Sequence, residues 1–225
     1  MATPAPRALA ANRIAPRRAL AGAVLCWAAF AIVALTVFTG AARHFDEAGL
    51  LLWRTGPGLM PPGPAWLSEA VRDISLLGGV PLRNLLALVA AAVLLFLRMR
   101  REAMLFAGTV IGAWVVDWLI KITVARPRPQ LVPHLAQASG MSFPSGHSFN
   151  SAAIYIAMAL AFAALSERTG VRRGLIGGAV ALSMLVALSR IWLGVHYPTD
   201  VIAGWLGGAG WALFATALMN RETGP

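Results

Sequence analysis

The sequence contains little charge, one cysteine and one lysine. Only 12% of its 225 residues are charged, about half the share of a typical soluble domain, whereas 58% are hydrophobic and the mean hydropathy is +0.70. This composition argues against a soluble protein and favours an integral membrane protein. The single cysteine, Cys26, excludes an internal disulfide and leaves the redox compartment open. The net charge of +10 comes without a basic stripe interleaved with aromatic residues, which disfavours a nucleic-acid partner.

Six apolar segments have about the length needed to cross a bilayer. They cover roughly residues 19–39, 76–97, 103–124, 148–165, 175–193 and 201–218. We therefore predict an all-α fold, a bundle of six transmembrane helices that forms one domain over residues 1–225, with a basic N-terminus over residues 1–18. The first segment resembles a signal peptide, but it is longer than the roughly 7–15 apolar residues of a cleaved signal, which favours an uncleaved helix.

The basic residues between these segments predict the orientation of the chain. Eleven of the 19 basic residues lie in the termini and in the links after the second and fourth segments, and eight lie on the other side. The positive-inside rule then places both termini in the cytoplasm and the alternate links outside. We expect a multi-pass protein of the cytoplasmic (inner) membrane with its functional groups on the extracytoplasmic face.

The longest outer link, residues 40–80, contains two amphipathic stretches separated by the Pro/Gly-rich run "TGPGLMPPGP". One interpretation is a pair of short helices that lie in the membrane interface. The other is a rim or lid beside a site that faces the lipid.

The lone lysine, Lys121, lies near the end of the third segment and is followed by "ITVARPRPQ". Lys121, Arg128 and Arg190 are cations near the ends of apolar helices on the predicted outer side. A charge at membrane depth costs about 2.5–3.5 kcal/mol, and three converging cations also repel one another. A bound multivalent anion such as phosphate resolves both costs, since arginine forks match phosphate oxygens. Asp117, one helical turn before Lys121, either holds the lysine in place or only neutralises it.

Two further outer stretches carry polar residues suited to phosphate chemistry. In "FPSGHS", Ser145 is a candidate N-cap and Gly146 allows a ligand to approach the backbone, while the helix start itself favours an anion. His147 follows directly. In "SRIWLGVHYPTD", His196 and Asp200 are spaced i, i+4, so the carboxylate can hold one ring nitrogen and leave the other free as a base or nucleophile.

Two histidines beside three cations indicate phosphoryl transfer, in which one histidine attacks phosphorus and the other protonates the leaving oxygen. The residues alone do not decide which histidine does which. A metal site built from His147, His196 and Asp200 is the main chemical rival, but the neighbouring cations oppose a divalent ion. We therefore expect no metal and no cofactor.

Together the three stretches resemble the type 2 phosphatidic acid phosphatase (PAP2) superfamily. That family's pattern is Lys, six residues, Arg-Pro; then Pro-Ser-Gly-His; then Ser-Arg, five residues, His, three residues, Asp. The matching positions in this sequence are Lys121, Arg128 and Pro129; Pro144, Ser145, Gly146 and His147; and Ser189, Arg190, His196 and Asp200.

The resemblance implies a role for each matched residue. It implies that His196 forms a phosphohistidine, that Asp200 orients it and that His147 protonates the leaving group. It further implies that the remaining matched polar residues hold the phosphate: Lys121, Arg128, Ser145, Gly146 and Arg190. Arg126 lies outside the pattern, where an interfacial anchor is favoured over a contact to the substrate headgroup. His44 and His134 have no motif and are interpreted as surface residues.

We accordingly expect a lipid phosphate phosphatase that acts in the outer leaflet, with the bilayer and a lipid phosphate as its partners and no protein partner evident. Phosphatidic acid, phosphatidylglycerol phosphate and a polyprenyl diphosphate such as undecaprenyl diphosphate are the candidate substrates. The alternatives are a membrane protein that binds or transports anionic lipids without hydrolysis, and a relative of the vanadate-dependent haloperoxidases.

Overall fold

The computed structural model describes residues 14–221, and regular structure in this range is helical apart from one isolated β-bridge between Thr55 and Met60. The helices of the described range are α1 Pro16–Phe38, α2 Arg43–Leu51, α3 Ala65–Leu77, α4 Val80–Phe96, α5 Arg100–Val124, α6 Gly146–Ala163, α7 Thr169–Trp192 and α8 Pro198–Arg221. The predicted all-α class is confirmed for this part of the chain. Most of the predicted basic N-terminus, residues 1–18, lies outside the described residues.

Four helices, α1, α5, α7 and α8, are long and apolar enough to cross a membrane, and the bent pair α3 and α4 makes a fifth candidate. Large apolar side chains point outward from these helices, such as Leu25 with 71% of its surface exposed, Ile32 with 66% and Phe96 with 87%. Water disfavours so much exposed apolar surface, whereas lipid tails accept it. The protein is a multi-pass membrane protein with four or five candidate spans in the described range.

The second predicted segment, residues 76–97, is not one straight helix. It breaks at Gly78 and Gly79, and α3 and α4 meet there at an angle of 48°. Pro81 lacks a backbone N–H and fits only in the first turn of a helix, so α4 begins at Val80. A Cβ atom on Gly78 would lie 2.3 Å from Cγ1 of Val186 on α7, so only glycine allows this close crossing.

Helix α6 lies at the centre of the bundle and packs closely against α8. A Cβ atom on Gly208 would lie 2.0 Å from the carbonyl oxygen of Phe149, and one on Gly204 would lie 2.7 Å from that of Ser145. These glycines let the two backbones approach, and the amide of Ser145 donates to the carbonyl of Asp200 at 2.9 Å. The N-terminal ends of α6 and α8 are thereby held side by side.

The same end of the bundle also receives the C-terminal ends of α5 and α7. Helix α5 ends at Val124, and the next residue, Ala125, adopts a left-handed conformation with φ of 48°. Residues 126–145 then run to the start of α6. The predicted short helices of the 40–80 link are confirmed as α2 and α3. All three polar stretches of the sequence therefore lie at one end of the molecule.

Candidate active site

A cavity of about 490 Å³ opens at this end of the bundle. The predicted site residues that line it are Lys121, Arg128, Gly146, His147, Arg190 and His196. Ser145 and Asp200 are buried behind that lining. Six of the eight predicted residues thus lie at the cavity surface, and the other two are buried directly behind it.

His196 follows α7 in the short link to α8, and only 2% of its surface is exposed. Its Nε2 atom lies 3.0 Å from Nη1 of Arg128. Because a guanidinium can only donate, Nε2 must accept this hydrogen bond, and the ring proton therefore resides on Nδ1. The unprotonated nitrogen of His196 is consequently the one on the Arg128 side of the ring.

The Nδ1 side of His196 contacts a hydroxyl and a carboxylate. Oδ2 of Asp200 lies 3.5 Å from Nδ1, and Oγ of Ser142 lies 3.3 Å from it. Ser142 donates to the same Asp200 oxygen at 2.5 Å, and the amide of Tyr197 donates to it at 2.9 Å. Oδ2 of Asp200 is therefore anchored by two donors while it faces the ring proton of the histidine.

Burial lowers the pKa of His196 to about 4. The hydrogen bond and negative charge of Asp200 oppose that effect, and the positive charges of Arg128 and Arg190 reinforce it. His196 is therefore neutral at physiological pH, which is the protonation state that a nucleophile requires.

Each predicted cation is held by a neutral oxygen atom. Arg128 donates to the carbonyls of Ser139 at 2.8 Å and of Val195 at 2.9 Å, and burial lowers its pKa. Arg190 donates to Oγ of Ser75 on α3 at 2.5 Å. These contacts position the guanidinium groups without neutralising them, so their charge remains available to an anion.

The amine of Lys121 donates to the carbonyl of Pro144. Its distance to the Asp117 carboxylate is 3.8 Å, longer than a direct hydrogen bond. The lysine is therefore held mainly by the backbone before α6. Of the two roles that the sequence left open for Asp117, it therefore neutralises the charge of Lys121 and does not hold the lysine in place.

The start of α6 has the local structure that its sequence predicts. Ser145 is the N-cap, and its side chain accepts from the amide of Ser148 at 3.5 Å, which confirms the predicted cap. A Cβ atom on Gly146 would lie 3.1 Å from Oδ2 of Asp117 and 3.5 Å from Cε of Lys121. Glycine is thus favoured here, because a Cβ atom would crowd the Asp117 carboxylate of α5 beside the cavity.

The interpretation of Arg126 as an interfacial anchor is wrong. Its guanidinium bridges two buried carboxylates, with Nη1 2.7 Å from Oδ1 of Asp200 and Nη2 2.6 Å from Oδ2 of Asp46. The group also lies 4.2 Å from the ring centroid of Tyr197. Asp46 in turn accepts from the amide and hydroxyl of Thr199 in the first turn of α8. Arg126 therefore belongs to the support of the His196–Asp200 pair.

Sequence reasoning missed Asp46 and Ser142 beside the His196–Asp200 pair, Ser75 beside Arg190, and Arg83 in the cavity lining. The sequence pattern indicates the buried position of Asp46, because Asp46 is spaced i, i+4 from Leu50 and so lies on the apolar face of a short amphipathic helix. A charged residue on that face points toward the protein. The 40–80 link therefore contacts the site directly, since Asp46 binds Arg126 and Ser75 binds Arg190. A pair of helices that only lay in the membrane interface would not make these contacts.

The two remaining histidines are exposed and do not line the cavity, in agreement with their interpretation as surface residues. Nε2 of His134 lies 2.6 Å from the carbonyl oxygen of Pro129. Within residues 14–221, no group of three or more His, Cys, Asp or Glu side chains is arranged to hold a metal ion.

Comparison with known proteins places this geometry in a family. The model of the PAP2 superfamily matches residues 101–223. Phosphatidylglycerophosphatase B of Bacillus subtilis is 30% identical over 181 residues, which cover 78% of this chain and 83% of that protein. The undecaprenyl-diphosphatase BcrC of the same organism is 36% identical over 126 residues, 52% of this chain and 58% of its own.

A solved structure extends the similarity to nearly the whole molecule. The crystal structure of a transmembrane PAP2-type phosphatidylglycerolphosphate phosphatase from Bacillus subtilis superposes with a TM-score of 0.78 at 27% identity, covering 90% of this chain and 97% of that one. The residues matched by the family model, 101–223, include Lys121 on α5, His147 on α6 and His196 between α7 and α8. The chain belongs to the PAP2 superfamily.

Proposed function

We propose that this protein is a membrane-embedded lipid phosphatase in which His196 attacks the phosphorus of a lipid phosphate. The observation that carries the proposal is the position of His196, with Nε2 3.0 Å from Nη1 of Arg128 and Nδ1 3.5 Å from Oδ2 of Asp200. This position favours the tautomer with its proton on Nδ1 and its lone pair on Nε2. When a phosphate enters, its oxygens replace Nε2 as the acceptor for Arg128. The same event frees the lone pair that attacks.

In the first step, a bond forms between Nε2 of His196 and phosphorus, and the bond between phosphorus and the leaving oxygen breaks. His147 gives its proton to that oxygen. The imidazole ring of His196 becomes positively charged and is stabilised by Asp200. Lys121, Arg128 and Arg190 stabilise the charge on the equatorial oxygens.

In the second step, water attacks the phosphohistidine and the bond between nitrogen and phosphorus breaks. His147, now neutral, takes a proton from the water, which regenerates the starting state and releases inorganic phosphate. The dianionic phosphate supplies the negative charge that a protonated His147 needs beside the guanidinium groups of the cavity. No step requires a metal ion.

In this proposal the chain crosses the membrane six times. The spans are the four long helices, the bent α3–α4 pair and the central helix α6. Helix α6 carries polar residues in its first turns because they form the site, which lowers the mean hydropathy of a helix that is otherwise apolar. The basic runs near Arg98 and Arg172 lie at the opposite end from the cavity. By the positive-inside rule, that end faces the cytoplasm and the cavity opens on the outer leaflet of the cytoplasmic membrane.

The candidate substrates are phosphatidic acid, phosphatidylglycerol phosphate and undecaprenyl diphosphate. The names of the two relatives from Bacillus subtilis support the second and third of these. All three present a terminal phosphate at the membrane surface, where the cavity opens.

The test is phosphate release by the purified protein in detergent from each of these three lipids. We expect turnover of at least one lipid, retained in excess EDTA, and a loss of about 10³-fold or more in kcat for His196→Ala. His44→Ala is the matched control, since His44 is exposed and outside the cavity, and it should keep full activity. Near-normal turnover by His196→Ala would contradict the phosphohistidine mechanism, and binding without turnover by the wild-type protein would support a lipid-binding role instead.

A further inference from the structure

The cavity extends beyond the groups that hold the phosphate. Six further polar residues outside the PAP2 pattern line it. Gln137 and Ser139 belong to the link before α6, and the other four lie on helices: Arg83 and Asn84 of α4, Asp117 of α5 and Asn150 of α6. We call these four the polar wall. Its chemistry differs from that of the phosphate site because it combines one cation with several hydrogen-bond acceptors.

Arg83 is a buried cation with no carboxylate within ion-pair distance, and the charge of Asp117 acts on it only from further away. Only 4% of its surface is exposed, its Nη1 donates to the carbonyl of Gly78 at 3.0 Å, and its Nε has no hydrogen-bond partner. Within residues 14–221 it forms no ion pair. A buried guanidinium without a counterion is costly, and an anionic group on a ligand in the cavity removes that cost.

The other three members of the polar wall each carry a buried acceptor atom that receives no hydrogen bond. Oδ1 of Asn84, of Asp117 and of Asn150 each lack a hydrogen-bond partner. The orientation of the Asn150 amide is determined by its neighbours, because Nδ2 donates to Oδ2 of Asp117 at 3.2 Å and to the carbonyl of Gly146 at 3.1 Å. Unpaired acceptors complement a ligand that carries a hydroxyl group.

The polar wall lies on the side of the cavity that holds His147. Asn150 is one helical turn beyond His147 on α6, and Gly78, which accepts from Arg83, is so close that a Cβ atom there would lie 3.1 Å from Cδ2 of His147. In an in-line displacement the leaving group lies opposite the nucleophile and next to the acid. With His196 as nucleophile and His147 as acid, the polar wall therefore contacts the leaving group and not the transferred phosphate.

We infer that the polar wall is a leaving-group subsite that selects lipid phosphates whose leaving group carries a second acidic group and a hydroxyl. Arg83 binds the second acidic group, and Asp117 and Asn150 accept from the hydroxyl. A glycerol phosphate linked through a phosphodiester has both features, a polyprenyl diphosphate has only the second acid, and the diacylglycerol of phosphatidic acid has neither. This inference rests on the proposed phosphatase function.

The first test compares kcat/KM of the wild-type protein and Arg83→Met on these three substrate classes in mixed detergent micelles. We expect Arg83→Met to lower kcat/KM for the two substrates with a second acid by about 10- to 100-fold more than for phosphatidic acid, since a charge-assisted hydrogen bond is lost. Arg83→Lys should recover part of this difference. An equal change for all three substrates would overturn the assignment of Arg83.

The second test concerns the hydroxyl. Phosphatidylglycerol phosphate and its analogue lacking the free glycerol hydroxyl are compared on the wild-type protein and on Asn150→Leu. We expect the wild-type protein to prefer the hydroxylated lipid by about tenfold and Asn150→Leu to lose that preference. A preference that is absent in the wild-type protein, or unchanged in the variant, contradicts the inference.

Arg43→Met is the matched charge control, because Arg43 lies on α2 with 83% of its side chain exposed and pairs with Glu47 outside the cavity. It should leave the ranking of substrates unchanged. Where buried Arg83→Met does not yield folded protein, Asn84→Leu on the same helix provides a further variant of the polar wall, and its substrate ranking must also shift. A failure of this inference is distinguishable from a failure of the proposed function. In the second case the wild-type protein would release phosphate from none of the lipids.

Discussion

At the scale of single residues, the site depends on which nitrogen of His196 carries the proton. Arg128 holds Nε2 as an acceptor, and Ser142 and Asp200 lie next to Nδ1. The sequence predicts the pairing with Asp200 from the i, i+4 spacing. The contributions of Ser142 and Arg128 depend on how residues 126–145 run back across the helix ends, which no local pattern encodes.

The depressed pKa of His196 leads to a direct prediction about pH. Burial favours the neutral ring, so His196 should remain unprotonated from pH 8 down to about pH 5 and take up a proton only as the pH approaches 4. NMR of protein with ¹³C-labelled histidine follows this titration, with the signal assigned from a His196→Gln variant. A midpoint near 6.5 in the free protein would show that burial does not control this group.

Arg126 should position Asp200 as well as stabilise the fold. Arg126→Met leaves Asp46 and Asp200 as buried carboxylates without their shared cation, so we expect a loss of about 3–5 kcal/mol in stability and of about 10- to 100-fold in kcat. Steady-state kinetics and thermal unfolding in detergent measure the two effects.

Adding Asp46→Asn separates these two roles of Arg126. The double variant removes one of the two unpaired carboxylates and should recover part of the stability, while kcat stays low because Asp200 still lacks its partner. Recovery of kcat in step with stability would assign Arg126 a structural role alone.

At the scale of helices, the break between α3 and α4 connects the 40–80 link to the site. Ser75, near the end of α3, accepts from Arg190, and the carbonyl of Gly78 accepts from Arg83. Composition predicts a membrane segment over residues 76–97. Only the close crossing of Gly78 with α7 explains why residues 76 and 77 belong to α3, which is bent by 48° from α4. Gly78, Gly79 and Pro81 are local signals of that turn that a hydropathy pattern does not register.

Gly78→Ala should therefore be far more harmful than an ordinary glycine substitution. Its Cβ atom would overlap Cγ1 of Val186 at 2.3 Å and press on the ring of His147, so we expect lower thermal stability and at least a tenfold loss of kcat/KM. Gly177→Ala on α7 is the control, because a Cβ atom there meets nothing within 4 Å. In a helix interior that change should raise stability by up to about 1 kcal/mol. Similar behaviour of the two variants would argue against the close crossing at Gly78.

At the scale of the whole molecule, hydropathy and motif spacing predict the class, the family and the meeting of the three polar stretches at one end. They do so because a membrane allows an apolar segment few conformations other than a helix, which leaves few arrangements for the links. The glycine contacts between α6 and α8 and the buried contacts of α2 are properties of packing, and a single sequence does not specify which faces meet.

The proposed orientation can be tested with single cysteines. Cys26→Ser removes the only native thiol, and Gln130→Cys or Glu167→Cys then places one at an exposed position at either end of the bundle. In intact cells, we expect a membrane-impermeant maleimide to label the first and not the second, while both react after the membrane is permeabilised. The reverse pattern would place the cavity in the cytoplasm.

The contact between Arg128 and Nε2 has a consequence for inhibition. A histidine whose lone pair is already engaged is a poor target for neutral alkylating or acylating reagents, because such reagents offer the guanidinium no alternative acceptor. Anionic compounds do offer one, and they expose the nitrogen as they bind. Covalent inhibitors of this protein should therefore require an acidic group beside the reactive centre, and occupancy of the site by free phosphate should protect His196 from them.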